Sequence, residues 1–125
     1  MSKEEEQRFL ILLSSFQFTI MCGIAPTKKE VLDYIADNNW ANFSAKHLTT
    51  KSNINELVWR NEFAFTRKHL VDNNSLFGHT RNSWEITPSG RNELKMLCNK
   101  VFNTTTFSII ANQSIAYARK IYTLI

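Results

Sequence analysis

Apolar residues recur at helical spacing over most of this chain, and the period shortens only between about residues 75 and 87. Phe9, Leu12, Leu13, Phe16 and Ile20 predict an amphipathic first helix over residues 3–22, with Glu4, Glu5 and Glu6 in its electropositive first turn. Gly23 and Pro26 end it. Thr27 with Glu30 three residues later spells a capping box for a second helix, KKEVLDYIADN, which turns Val31, Leu32 and Ile35 inward. NNWANF is expected as a turn or a short extended piece. Ser44 is placed to cap a short third helix, AKHLTT. Asn53 or Asn55 is placed to start a long fourth one that runs to about Asp72, where Asn73 and Asn74 stop it.

SLFGHTRNSWEIT then predicts two short strands around a polar turn at about residues 79–83, with Asn82 suited to the positive φ of a tight hairpin. Pro88 opens a further helix, SGRNELKMLCNKVF, and a last helix is expected from about Ser108. Helix, short helix, long helix, hairpin, helix is the order of a winged helix-turn-helix. The expected fold class is therefore mainly α (α+β), a winged helix-turn-helix with additional N- and C-terminal helices. Residues 1–25 would be the N-terminal helix, 26–104 the winged-helix domain and 105–125 the C-terminal helix, joined in one compact unit.

The long helix has two apolar sets. At 100° per residue, Trp59, Phe63, Thr66 and Leu70 fall in one narrow sector, while Ile54, Leu57, Val58, Asn61, Phe65 and Lys68 lie roughly opposite. Arg60 and Arg67 share a flank. One alternative buries both faces, the second under the wing or a terminal helix. The other leaves the second face to enter a DNA major groove, where an Asn pairs with adenine and apolar groups touch base methyls. In that case Asn55, Asn61 and Phe65 are the candidates for base or methyl readout. Arg60, Arg67 and Lys68, with His79 and Arg81 on the wing, are the candidates for the DNA backbone. Trp84 is assigned to the core under the wing.

Charge strengthens the DNA alternative. The net charge is +4 over 125 residues, but residues 1–40 hold four Lys/Arg against six acids and residues 41–125 eleven against five. A basic C-terminal two-thirds favours a polyanionic partner. A hydrophobic content of 43% suffices for a packed core and excludes intrinsic disorder. Cys22 and Cys98 stand alone without a CxxC, which predicts buried, reduced thiols in a cytoplasmic protein. FLILLSSFQFTIMCGIA follows the acidic KEEEQR and is interrupted by Ser14, Ser15, Gln17 and Thr19, so neither a signal peptide nor a membrane span is expected.

Catalytic chemistry is not expected. Glu93-Leu94-Lys95 has the spelling of a nuclease E-x-K element but sits in a helical pattern with no partner Asp on a preceding strand. His47, His69 and His79 have no metal-ligand spacing, and three glycines leave little material for a phosphate loop. No cofactor and no metal is expected.

Leu57 to Gly90, LVWRNEFAFTRKHLVDNNSLFGHTRNSWEITPSG, resembles the N-terminal winged-helix domain of Mrr-type, modification-dependent restriction endonucleases. Trp59, Arg60 and Asn61, then Phe65 and Leu70, match the start of that family's long helix. Arg81, Trp84, Thr87, Pro88 and Gly90 match its R-G-x-W and T-P-x-G wing, and KKEVLDYIAD fits the preceding helix. The resemblance covers about residues 26–97. Glu62 departs from the usual Arg, which weakens a phosphate contact there, and Asn82 replaces the wing Gly.

The resemblance implies a domain that binds double-stranded DNA and senses a methylated base, with the nuclease on a further C-terminal part or a partner chain. Two rival functions remain from sequence. One is a transcription regulator that dimerises through Phe- and Ile-rich terminal helices. The other is a winged helix that docks onto a protein.

Overall fold

A computed structural model describes residues 1–51 and 55–125. The chain is mainly helical. Helix α1 (Lys3–Phe16) runs on into a π-helical turn (Gln17–Met21). Then come α2 (Lys28–Asp37), a 3₁₀ turn (Lys46–Leu48), α3 (Val58–Asp72), α4 (Pro88–Phe102), α5 (Asn112–Ile121) and a closing 3₁₀ turn (Tyr122–Leu124). Strand pairing among the described residues is confined to isolated bridges, Ala41 with Ile110, Thr50 with Leu57 and Leu76 with Ile86.

Helix α1 begins with a capping box: the Ser2 hydroxyl accepts the Glu5 N–H at 3.1 Å, and Glu5 accepts the Ser2 N–H at 3.0 Å. The expected amphipathic stripe is not what forms. Glu6, Gln7 and every residue from Phe9 to Phe16 are buried, because α2, α3 and α4 all pack on this helix. A stretch such as Phe9–Leu13, apolar on all sides, is that of a core helix. Leu10 and Ile11, which fall outside the predicted stripe, are fully buried, whereas Ile20 lies exposed in the π-helical turn.

Five polar side chains on α1 are matched to five different segments. The Ser14 hydroxyl donates to the Val31 carbonyl in α2 at 2.9 Å, and the Ser15 hydroxyl to the Trp84 carbonyl at 2.6 Å. The Thr66 hydroxyl of α3 donates to Gln7. Arg8 pairs with Glu93 of α4 at 3.2 Å. Glu6, 1% exposed, accepts three backbone N–H groups, from Ser108 at 2.9 Å, Ile109 at 2.8 Å and Ile110 at 3.1 Å.

Those last bonds delay the C-terminal helix. Residues 109–111 are held extended against residues 40–42, with Asn42 N–H to the Ile109 carbonyl at 2.7 Å and Ala111 N–H to the Trp40 carbonyl at 3.0 Å. The helix expected from Ser108 therefore starts at Asn112.

Thr27 and Glu30 form the predicted capping box of α2. The expected third helix is reduced to a single 3₁₀ turn, in which the Ser44 hydroxyl bonds the His47 ring and the Thr49 hydroxyl takes the Lys46 carbonyl at 2.7 Å. Such local side-chain bonds compete with helix extension. Asn55 does not cap α3. It has φ 49° within a loop closed by Lys51 N–H to the Glu56 carbonyl at 2.7 Å and Val58 N–H to the Thr49 carbonyl at 2.9 Å. Leu57 takes the cap position without a side-chain bond. The Asn53 alternative, and Ile54 of the second face, lie outside the described residues.

Asn74, at φ 61°, ends α3 as expected of a left-handed C-terminal residue. The hairpin that follows is shorter than two strands: Phe77 N–H reaches the Glu85 carbonyl at 2.9 Å, and Thr87 N–H the Ser75 carbonyl at 3.1 Å. Asn82 has no positive φ; its side chain instead accepts the Lys28 N–H at 3.4 Å. Thr87 caps α4, its hydroxyl accepting the Gly90 N–H at 2.8 Å and donating to the Asn74 carbonyl at 2.6 Å. A Cβ at Gly90 would stand 2.0 Å from the Ser75 carbonyl oxygen, so only glycine fits there.

Cys98 is buried and Cys22 exposed, which corrects the expectation of two buried thiols. Among the described residues no helix is long and apolar enough to cross a membrane.

Two predictions follow from the core. Glu6→Ala strands three backbone donors and should lower the unfolding free energy by about 3 kcal/mol in urea titrations, with Glu6→Gln intermediate. A loss below about 1 kcal/mol in the Ala variant would mean that water replaces the carboxylate. Burial pushes the Cys98 thiol up from 9.0 to about 12. Its neutral form is thus favoured by folding, and this contribution is complete below pH 9.0 and is lost as pH rises towards 12. Wild type should therefore lose stability above pH 9 more steeply than Cys98→Ala; parallel curves would refute the assignment.

Candidate nucleic-acid interface

One face of α3 is core and the other is open. Trp59, Phe63, Thr66 and Leu70 are buried, Trp59 stacked on Phe43 at 4.5 Å between ring centroids. On the opposite side Asn61, Ala64, Phe65 and Lys68 follow i, i+3, i+4, i+7 spacing, and Phe65 is 60% exposed. Among the described residues of this face Leu57, Val58 and Asn61 are half-buried and Phe65 and Lys68 exposed, Phe65 bordering a hollow with Lys3, Glu4 and Gln7 of α1, so the alternative in which both faces are buried holds only for the start of the helix.

Beside the open face lies a groove of about 590 Å³ lined by Lys28, Ala64, Arg67, Lys68, Arg81, Asn82 and Trp84. The hairpin forms one wall and the start of α2 contributes Lys28. Lys28 is neutralised by Glu56 at 2.9 Å. Arg67 is not neutralised. It donates Nη2 to the Ser83 carbonyl at 2.8 Å and the Thr80 carbonyl at 3.2 Å, stands 5.9 Å over the Trp84 ring, and has a buried Nε with no partner. Burial without a carboxylate holds its pKa below the usual arginine range. Lys68 and Arg81 are exposed and have no carboxylate partner among the described residues. The groove is thus positive and uncompensated.

The predicted readout residues do not all meet. Asn61 and Phe65 share the second face, but the Asn61 side-chain Oδ1 already accepts from Lys51 Nζ at 2.9 Å. Asn55 is exposed in the loop before α3 instead of in its first turn.

The predicted phosphate residues divide. Arg60 is held by the protein, 2.7 Å from Asp33 and 4.9 Å over Trp59, and Lys29 and Arg60 together keep the Asp33 carboxyl below its ordinary range. Arg67 fastens the hairpin. Lys68 and Arg81 reach the groove, and His79 is exposed on the hairpin beside Phe77.

Sequence patterning overlooked Lys28 and Lys51, and treated Asn82 only as a turn residue. Lys28 follows the Thr27 cap, which orients it, but no local signal shows that α2 starts beside the hairpin. Trp84 is core, as expected, and also lines the groove. Glu93, of the E-x-K spelling, is bound by Arg8 and by the Ser75 hydroxyl at 2.8 Å. Among the described residues no group of three or more His, Cys, Asp or Glu side chains is placed to hold a metal ion.

No protein-family model, curated protein or solved structure matches this chain.

Arg67 carries the geometry of the groove wall. Arg67→Ala should lower stability by about 2 kcal/mol and accelerate amide exchange at Phe77, whose N–H bonds across the hairpin. Unchanged exchange would mean that the hairpin holds its shape without the guanidinium.

Proposed function

We propose that this chain is a winged-helix DNA-recognition domain of a restriction system, binding double-stranded DNA and reading a methylated base. The observation that carries this proposal is the α3 face with Phe65 and Lys68 exposed and Asn61 half-buried between them, whose Lys68 flank borders the positive groove of Arg67, Lys68 and Arg81. The order α2, 3₁₀ turn, α3, hairpin, α4 supports the winged-helix assignment. The single 3₁₀ turn and the one-bridge hairpin are a reduced form of that pattern, and the extended residues 40–42 pair with 109–111 instead of with the wing.

In this mechanism α3 enters the major groove. Lys68 and Arg81 neutralise phosphates on either side, and each such contact raises the salt dependence of binding by about 0.9. Phe65 offers its ring to a base methyl, and Asn61 pairs with a base edge after releasing Lys51, which then becomes available to a phosphate. Arg60 acts through Asp33 and Trp59 on the seating of α3, and Arg67 through the hairpin; both are positioning residues. The strand-cutting chemistry of such a system is assigned to a further segment or a partner chain.

The regulator that dimerises through terminal helices has weaker support, because α1 turns Phe9, Ile11 and Phe16 into its own core. A protein-docking role draws on the same exposed Phe65 as the DNA reading, and salt dependence separates them.

Fluorescence-anisotropy titrations of unmodified duplexes against the same duplexes with N6-methyladenine or 5-methylcytosine test the proposal. Binding should be tighter to one modified set, and Phe65→Ala should remove about a fourfold preference, the value of one buried methyl. Equal binding to all duplexes would leave a DNA binder without modification readout. No binding at any salt would overturn the proposal in favour of a docking module.

A further inference from the structure

The charge of this chain is concentrated away from the groove. Residues 1–85 hold ten Lys/Arg and ten Asp/Glu, whereas residues 86–125 hold five and one. The whole net charge of +4 therefore belongs to the segment of α4 and α5. Its single acid, Glu93, is taken by Arg8, and one of its five cations, Lys100, is taken by Glu5. Arg91, Lys95, Arg119 and Lys120 have no carboxylate partner among the described residues, and none of them lines the groove.

Three of these cations, Arg91, Lys95 and Arg119, are linked through contacts with Leu124, Tyr122 and Phe102, and Arg91 also stands 5.5 Å over the Phe16 ring. Arg91 donates to the Leu124 carbonyl at 3.0 Å, Lys95 Nζ stands 4.8 Å over the Tyr122 ring, and Arg119 stands 4.3 Å over Phe102. Phe102 and Tyr122 are neighbours at 5.6 Å, and the Tyr122 hydroxyl donates to Asn99 at 2.9 Å. Stacking on rings holds cationic heads at the surface without neutralising them. Lys120 is exposed beside Arg119. Ring and carbonyl contacts hold these heads without cancelling their charge, so the surface attracts an anion from outside.

We propose that the α4–α5 ridge is a second nucleic-acid contact surface, binding the phosphodiester backbone outside the site at α3. Charge complementarity selects the occupant, because a regular row of phosphates matches a row of uncompensated cations. A second copy of this chain is disfavoured by like charge. The inference rests on the DNA-binding reading of α3 and extends it: the domain engages flanking or second-segment DNA with a face that carries no readout residue.

The test is the salt dependence of duplex affinity, measured by anisotropy for wild type, for Lys95→Gln with Lys120→Gln, and for Lys68→Gln. Matched thermal midpoints establish that the variants fold. The ridge double variant should lower the slope of log affinity against log salt by about two units on a long duplex, while preserving any preference for a modified base. Lys68→Gln should lower it by about one. A slope lowered only by Lys68→Gln overturns the ridge and leaves the α3 reading intact. Absence of duplex binding by wild type overturns both. Binding to phosphatidylserine vesicles that is lost in the double variant, with duplex slopes unchanged, would instead assign the ridge to a membrane surface.

Discussion

The buried carboxylate of Glu6 and the helix that carries it are the constraint on which the rest of the structure depends. A helix buried on every side contributes a large apolar area, but it must also satisfy each polar group it takes inside. In α1 those groups became connectors. Glu6 holds residues 108–110, Gln7 meets α3, Ser14 meets α2, Ser15 meets the hairpin, and Arg8 meets α4. Every other helix except α5 is thereby registered against one central element, and α5 follows from where the Glu6 bonds release the chain.

The candidate interface is a consequence of that registration. Because Thr66 and the Trp59–Phe63 side of α3 face α1 and Phe43, the side with Asn61, Phe65 and Lys68 is turned outward. Because Ser15 fixes the Trp84 carbonyl, the hairpin stands at the edge of that outward face, where Arg67 can reach two of its carbonyls. The positive groove arises from this meeting of α3, hairpin and α2. Arg67 donates its hydrogen bonds to carbonyl oxygens, which carry no formal charge to cancel its own.

Two positive surfaces of different character result. The groove sets Lys68 and Arg81 beside the Asn82 amide and the buried Trp84 ring, and the exposed Phe65 ring lies on the neighbouring flank of α3. On the α4–α5 side Lys95 and Arg119 stand over the rings of Tyr122 and Phe102, and the proposed role of that surface is contact with a phosphodiester backbone. A division between positioning contacts and readout contacts is a general feature of DNA recognition.

Local chemistry made part of this legible in the sequence. The Thr27 capping box, the Asn74 stop, the Thr87-Pro88 start of α4 and the inward sector of α3 all depend on residues within a few positions of one another, so the sequence alone determined them. What tertiary structure decided were the meetings of distant segments. Leu10 and Ile11 became core because three helices surround α1, and α3 begins at Val58 because residues 49–51 bond back to its approach. Arg60 found Asp33, Arg67 found the hairpin, and residues 109–111 found residues 40–42. A single chain shows which residues are apolar or charged; which of them remain open to a partner depends on the burial and pairing that packing alone assigns.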